Sequence, residues 1–153
     1  MTSYCQRDPL WANVTIGTTK QTIGRVGCLI TAMSDLSSFF GQGLTPYVLM
    51  RMCTFNSDAQ LIWQSADFHD FMFTRRESEY SLERVAAAVK DIDLGVVLEV
   101  DGGAHWVTPI HWNLKMDCWD ICDPWFGDIV PVKTRYPLIT GAAFFRRKTL
   151  LDN

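Results

Sequence analysis

The sequence predicts an α+β fold in which N-terminal helices pack on a C-terminal antiparallel β-sheet. Apolar residues recur at helical spacing mainly before residue 92, whereas short β-rich runs separated by turn residues follow from Leu94 onward. At 153 residues the chain is long enough for a sizeable hydrophobic core and short for two domains. Because no repeat or linker interrupts it, residues 1–153 are expected to form a single domain.

Three segments carry helix signals. The strongest spans residues 26–40, where an apolar stripe repeats at intervals of three and four residues: Val26, Leu29, Met33, Leu36 and Phe40. A second helix is predicted to begin at Thr45-Pro46, a cap followed by a proline in the first turn, and to run toward Phe55. A third is predicted over residues 82–91, after Ser81.

The second half of the chain predicts an antiparallel sheet of consecutive strands. The β-rich runs are GVVLEV, AHWVTPIHW, MDCWDICD, IVPV and AAFFRR, with turn residues between them. Residues 56–79, which precede the third helix, show no clear period and are predicted to be a loop with a short strand at Gln60–Gln64.

Composition and charge exclude several classes of protein. The chain is 48% hydrophobic and 20% charged, as in ordinary folded proteins, and its net charge of −3 argues against binding to nucleic acid or to an acidic membrane surface. It has no apolar run approaching the roughly 18 residues of a membrane span, and its N-terminus lacks a signal-peptide core. We therefore expect a soluble protein in a reducing compartment, where its five cysteines are free thiols.

Cys28 is a candidate nucleophile. It lies near the start of the first predicted helix, about 120° from the centre of the apolar stripe, so it is off the face expected to be buried. A free thiol is only about 3% ionised at pH 7, but a helix N-terminus and a nearby imidazolium both stabilise the thiolate. Gly24 and Gly27 allow backbone amides to approach an oxyanion beside Cys28.

The chain offers three histidines as partners for this thiol. His105 is the strongest candidate because it opens a predicted strand directly after a tight turn, residues 101–103, where its ring can reach a cleft. His69 falls in the ambiguous loop, and His111 lies further along the same strand as His105.

A third group must orient the imidazole, and Asp123 is the leading candidate. If the two strands form a hairpin about residues 113–115, Asp123 and His105 come to the same end, because each lies nine residues from Leu114 (123 − 114 = 9 and 114 − 105 = 9). Asp101 and Asp120 remain possible substitutes.

Four short motifs appear in a fixed order over residues 6–128: QRDPLWA at 6–12, TIGRVGC at 22–28, GAHWV at 103–107 and DPWFGD at 123–128. With the order Cys, His, Asp, this pattern resembles the papain-like cysteine peptidases, and more specifically their bacteriocin-processing-like branch.

The resemblance implies a papain-like fold and a role for each matching residue. Cys28 would be the nucleophile, His105 the general base and acid, and Asp123 the orienting carboxylate. Gln6 would help to hold the oxyanion, with Gln21 as its rival. Substrate preference would be encoded in residues 39–80, which carry no recognisable motif.

The implied function is hydrolysis of a peptide or amide bond through a thioester acyl-enzyme, without a metal or organic cofactor. The substrate is expected to be a peptide, a protein or peptidoglycan, and the enzyme to be cytoplasmic, or virion-associated if a phage encodes it. Two other functions remain open, a transglutaminase-like acyl transferase and a papain-like binding module that has lost turnover. Cys118 and Cys122 are interpreted as core cysteines rather than zinc ligands.

Overall fold

A computed structural model describes residues 2–68 and 70–152 of the chain and has an α+β architecture. The described residues form six strands: β1 Phe71–Glu77, β2 Leu94–Val100, β3 His105–Asn113, β4 Cys118–Asp123, β5 Asp128–Pro131 and β6 Ile139–Arg147. They also form four α-helices: α1 Ile23–Val26, α2 Cys28–Phe39, α3 Pro46–Met52 and α4 Leu82–Lys90. Short 3₁₀ turns lie at Trp63–Ser65, Asp101–Gly103, Val132–Thr134 and Leu150–Asp152.

The six strands form one antiparallel sheet in the order β1-β6-β2-β3-β4-β5. Strands β2 to β5 are consecutive neighbours, as predicted. The prediction is wrong for β6, which inserts between β1 and β2 and pairs Ala143 with Val97. Strand β2 is buried at six of its seven residues, as expected for a strand that is paired on both edges and covered on both faces.

The helix predicted over residues 26–40 is observed as α2, Cys28–Phe39, and Gly27 separates it from the short α1, which ends at Val26. A Cβ on Gly27 would lie 2.5 Å from the carbonyl oxygen of Ile23, so only glycine fits where the two helices meet. Helix α2 is buried on more than its apolar stripe, since Thr31 and Ser34 are also buried. Their hydroxyls donate to the carbonyl oxygens one turn earlier, which satisfies them inside the protein.

The other two predicted helices are present. Helix α3 begins at Pro46 with Thr45 as its cap, as predicted, but ends at Met52 rather than near Phe55. Helix α4 begins after Ser81, whose hydroxyl accepts a hydrogen bond from the backbone of Arg84.

The segment before α4 is where the sequence prediction was wrong. Strand β1 was predicted to be loop, and the strand predicted at Gln60–Gln64 is replaced by an isolated bridge between Leu61 and Phe55, followed by a 3₁₀ turn. Strand β1 lies at the edge of the sheet, and a register shift between Phe73 and Arg75 breaks the alternation that identifies a strand in sequence.

The sheet is covered on both faces. Helix α2 packs against one face, where its Met33 and Leu36 join a core with Val97 and Phe145. Helix α4 packs on the other face, where Val85 and Ala88 join a second core that includes Leu98, Val107, Ile121 and Phe144. No helix within the described ranges is both long enough and apolar enough to span a membrane.

Candidate active site

Cys28 is the first residue of α2 and is partly exposed. As the first residue of a helix, it has a backbone N–H without an intrahelical partner. Both glycines before it mark close approaches of the backbone. A Cβ would lie 2.8 Å from the carbonyl oxygen of Ala12 at Gly24, and 2.5 Å from that of Ile23 at Gly27. The local sequence therefore places the thiol and a free amide together at a helix N-terminus.

His105 is the first residue of β3 and follows the 3₁₀ turn Asp101–Gly103. Its Nε2 lies 2.9 Å from Oδ1 of Asp123, the last residue of β4, so the predicted approach of these two side chains is confirmed. The register differs from the symmetric hairpin expected, since Thr108 pairs with Cys122, and the pairing shifts between Pro109 and His111. His105 and Asp123 are therefore not directly opposite each other in the strand pairing, and their side chains extend along the strands to make contact.

The geometry leaves Nδ1 of His105 as the ring nitrogen available to Cys28, because Nε2 faces Asp123. Burial opposes the charged form of the ring, but hydrogen bonds to Asp123 and Cys28 and the charges of both residues outweigh burial and raise the pKa of His105 to about 9. These contacts favour the protonated form of the imidazole.

Asp123 is fully buried and accepts four hydrogen bonds. Its Oδ1 accepts from His105 and from the backbone N–H of Trp125 at 3.0 Å, and its Oδ2 accepts from Arg135 at 2.8 Å and from the Tyr136 hydroxyl at 2.9 Å. Burial raises the pKa of Asp123, but the hydrogen bonds from His105, Arg135 and Tyr136 lower it to about 2. The carboxylate is thus ionised and fixed in orientation.

Arg135 and Tyr136 are site residues that sequence reasoning missed. Arg135 also forms two hydrogen bonds of 2.7 Å to Asp128, which follows the β4–β5 turn. The Tyr136 ring centroid lies 5.4 Å from that of His105. Both residues occupy an irregular segment between β5 and β6, and no periodicity or motif in the sequence connects that segment with Asp123.

Gln6 is buried beside Cys28 in the short N-terminal segment that precedes α1. Its backbone N–H donates to the carbonyl of Pro124 at 2.8 Å, and its side-chain Nε2 donates to the carbonyl of Gly24 at 3.2 Å. Its Oε1 has no hydrogen-bond partner among the described residues. The second hydrogen of Nε2 remains available to a group held at the thiol.

Of the alternatives left open by the sequence, Asp101 lines the same cavity as His105, but the described hydrogen bond of His105 is with Asp123. Asp120 pairs with His111 at 2.9 Å and also accepts from Asn113, while Asp101 is exposed in the 3₁₀ turn. Gln21 is not among the described residues that line the cleft at Cys28. His69 lies outside the described residues.

Cys118 and Cys122 are buried in β4, and Cys118 belongs to the second core. Burial raises the pKa of Cys122 to about 12. Among the residues that the structure describes, no group of three or more metal-ligating side chains is placed to hold a metal ion.

Two cavities meet at Cys28. The His105 cavity, about 370 Å³, is lined by Gln6, Asp101, His105, Trp125 and Tyr136. The Trp106 cavity, about 430 Å³, also borders Cys28 and is lined by Leu61, Trp63, Arg76 and Trp106, among others. Three of these four residues come from the part of the chain without a recognisable motif. A chain crossing Cys28 would therefore contact both cavities.

The arrangement combines a cysteine sulfur, an imidazole and a buried carboxylate with two amide donors, the chemical groups required for attack on a carbonyl carbon. No protein-family model, curated protein or solved structure matches this chain.

Proposed function

We propose that this protein is a cysteine hydrolase that cleaves a peptide or amide bond, with Cys28 as nucleophile, His105 as general base and acid, and Asp123 as the residue that orients His105. The observation that carries the proposal is the position of His105, whose Nε2 is fixed by Asp123 at 2.9 Å while its other face is turned to Cys28 at a helix N-terminus.

In the first half of the proposed reaction, the Cys28 thiolate, paired with the His105 imidazolium, attacks the carbonyl carbon of the substrate and forms a C–S bond. The carbonyl oxygen becomes an oxyanion and accepts hydrogen bonds from Gln6 Nε2 and from the Cys28 backbone N–H. The C–N bond then breaks, and the proton on His105 Nδ1 passes to the leaving nitrogen. The product amine departs and leaves a thioester on Cys28.

In the second half, a water molecule attacks the thioester carbonyl and gives its proton to His105. Collapse of this intermediate breaks the C–S bond, releases a carboxylic acid and restores the thiolate and imidazolium. Throughout, Asp123 keeps Nδ1 directed at the reacting atoms because its hydrogen bond holds Nε2.

The two cavities support a polymeric substrate. The leaving amine must lie near His105, so the His105 cavity would hold the leaving segment and the Trp106 cavity would hold the acyl segment. Because both cavities border Cys28, the site suits an internal bond of an extended chain, such as a protein or a peptidoglycan stem peptide.

The resemblance of the four sequence motifs to the bacteriocin-processing branch of papain-like peptidases supports the same chemistry. A helix bearing the thiol at its N-terminus, packed on an antiparallel sheet that carries the histidine and the carboxylate, is compatible with a papain-like fold. We therefore also propose that the protein has a papain-like fold and acts in the cytoplasm or in a virion.

The test is turnover of peptide libraries and purified peptidoglycan fragments, followed by trapping of the acyl-enzyme in intact-mass spectra. The parent protein should release amine and carry a substrate-derived mass on Cys28. Cys28→Ala should abolish both signals, and His105→Ala should reduce turnover by at least about 10². Cys53→Ala is the matched control, since it removes a thiol that lies beyond α3 and whose pKa burial raises to about 12.

Other outcomes point to other functions. Release of ammonia with incorporation of an added amine would indicate an acyl transferase. No turnover of any substrate, together with unchanged partner binding in Cys28→Ala, would refute hydrolysis in favour of a binding module.

A further inference from the structure

Asp35, in the middle of α2, is a fully buried carboxyl group outside the reacting groups. Its Oδ1 accepts a hydrogen bond from the backbone N–H of Tyr4 at 2.7 Å, but its Oδ2 has no hydrogen-bond partner among the described residues. Burying a polar atom without a partner is unfavourable, because the atom loses its hydrogen bonds to water. A feature with this cost calls for an explanation beyond packing.

The hydrogen bond of Asp35 belongs to a series that ties the N-terminal segment to α2. This segment, residues 2–11, is called the strap. Thr2 N–H donates to Ser38 Oγ at 2.8 Å near the C-terminal end of α2, and Tyr4 donates to Asp35 nearly one turn earlier. Gln6 follows beside the N-terminal end of α2, so the strap runs antiparallel to the helix.

Two further hydrogen bonds hold the second half of the strap in place. The Trp11 indole N–H donates to the carbonyl of Cys5 at 2.8 Å, and the Arg7 Nε donates to the carbonyl of Trp125, also at 2.8 Å. The ring of Tyr4 packs edge-on against Trp11, with 5.9 Å between ring centroids. Gln6 therefore lies within a short segment anchored before and after it.

The same helix carries Asp35 and Cys28. The two residues are seven apart, which places them within about 20° of the same face and about 10 Å apart along the axis. Helix α2 thus connects the Cys28 thiol to Asp35, which binds the strap at Tyr4. The strap in turn connects Tyr4 to Gln6, two residues later. The helix, the hydrogen bond between Tyr4 and Asp35, and the strap therefore together set the distance between Cys28 and the Gln6 amide.

We propose that Asp35 is a positioning residue for the oxyanion site, holding the strap to α2 so that the Gln6 amide is set at a fixed distance from the Cys28 sulfur. The inference rests on the proposed function, because it requires an oxyanion to be formed at Cys28. Asp35 acts through Tyr4 and Gln6 and touches no reacting atom.

The environment of Asp35 favours the protonated form of its carboxyl group. Burial, and secondarily the charge of Asp123, raise the pKa of Asp35 well above its ordinary range, although the hydrogen bond from Tyr4 acts in the opposite direction. An asparagine has nearly the same shape and keeps an oxygen that accepts from Tyr4. Asp35→Asn is therefore the conservative variant, whereas Asp35→Ala removes the acceptor.

The experiment measures kcat, KM and the iodoacetamide alkylation rate of Cys28 in each variant. Asp35→Ala should lower kcat by about 10- to 100-fold, the cost of a catalytic group misplaced by about 1 Å, while KM and the alkylation rate change by less than about 2-fold. Asp35→Asn should retain kcat within about 3-fold. Ser38→Ala is the matched control, since it removes the outer strap contact to Thr2 and the Ser38 hydrogen bond to the Asp35 backbone carbonyl but keeps the Asp35 carboxyl group. It should leave all three quantities close to those of the parent.

A double-mutant cycle with Gln6→Ala tests the route of the effect. If Asp35 acts through Gln6, Asp35→Ala should cost little additional kcat once Gln6 is already alanine. Should Asp35→Ala fail to fold, an ester in place of the amide between Ser3 and Tyr4 removes the Tyr4 N–H and keeps Asp35. Cys5 allows the synthetic segment to be ligated to the rest of the chain, and the same loss of kcat is expected.

Three results would overturn the inference: an unchanged kcat in Asp35→Ala and the ester variant, a loss in Asp35→Asn as large as in Asp35→Ala, or parallel losses of kcat and alkylation rate. Failure of the proposed function is distinguishable from these results, because it appears as an absence of turnover in the parent protein itself.

Discussion

At the scale of single residues, four donors converge on the Asp123 carboxylate, and only one of them is the histidine that it orients. Arg135 and Tyr136 occupy the second oxygen, so Oδ1 is left to His105 and the Trp125 amide. Because Arg135 also binds Asp128, its guanidinium bridges two carboxylates at the end of the hairpin. Asp123 is thereby kept charged despite being buried.

This arrangement predicts a change in acid stability when Arg135 is replaced by glutamine. The pKa of Asp123 is lowered from its ordinary 3.8 to about 2, so its contribution to stability is complete above 3.8 and is lost as the pH falls through 2. Arg135→Gln should raise this pKa, so that the melting temperature falls at a higher pH than in the parent. Thermal unfolding between about pH 6 and pH 2 measures the difference.

Arg51→Gln is the matched control for this prediction. Arg51 lies on α3, is exposed and contacts the Tyr47 hydroxyl at 2.9 Å, away from the carboxylate. Its replacement should leave the decrease in melting temperature at low pH unchanged. If the melting temperature of Arg135→Gln decreased over the same pH range as that of the parent, Arg135 would not hold Asp123 in its charged form.

At the scale of structural elements, the turn between β4 and β5 connects the carboxylate with the strap. Gly127 closes this turn by donating from its backbone N–H to the carbonyl of Asp123 at 2.7 Å. It has a φ of +73°, and a Cβ there would lie 2.6 Å from the Cβ of Cys5, the residue before Gln6. A side chain at this position would push the strap away from the turn.

Gly127→Ala should therefore destabilise the protein by about 1–3 kcal/mol and lower kcat. Gly43→Ala is the matched control, because Gly43 also has a positive φ of +59° but a Cβ there meets no described atom within 4 Å. In Gly43→Ala, the free energy of unfolding should therefore be lowered by backbone strain alone. Equal unfolding free energies and equal kcat in the two variants, measured by denaturant titration and steady-state kinetics, would show that contact with Cys5 does not matter.

At the scale of the whole molecule, the sheet and α2 bring together residues that are far apart in sequence. Cys28 comes from the start of α2, His105 from the start of β3 and Asp123 from the end of β4. These three positions could be predicted because each lies at a local signal: a glycine-containing helix start, a tight turn and a strand that ends before a proline.

The remaining features depend on contacts that no local signal reports. Strand β6 pairs with β1 and β2, which lie far from it in sequence, whereas a pattern read along the sequence favours consecutive neighbours. Arg135 and Tyr136 reach Asp123 because an irregular segment folds back on β4. The polar character of Asp35 concealed its burial, since an aspartate in a helix is usually exposed.

The most direct test of the proposed chemistry is the pH dependence of Cys28 alkylation by iodoacetamide, followed site by site by mass spectrometry in the parent and in His105→Ala. Cys5 is the internal reference because it is also partly exposed. The raised pKa of His105, about 9, predicts that its imidazolium accompanies the thiol across the neutral range.

Cys28 should therefore react faster than Cys5 well below pH 8 in the parent, and this advantage should disappear in His105→Ala. If Cys28 reacts no faster than Cys5, and the His105 substitution makes no difference, the thiol is not activated and the proposed hydrolase mechanism is wrong.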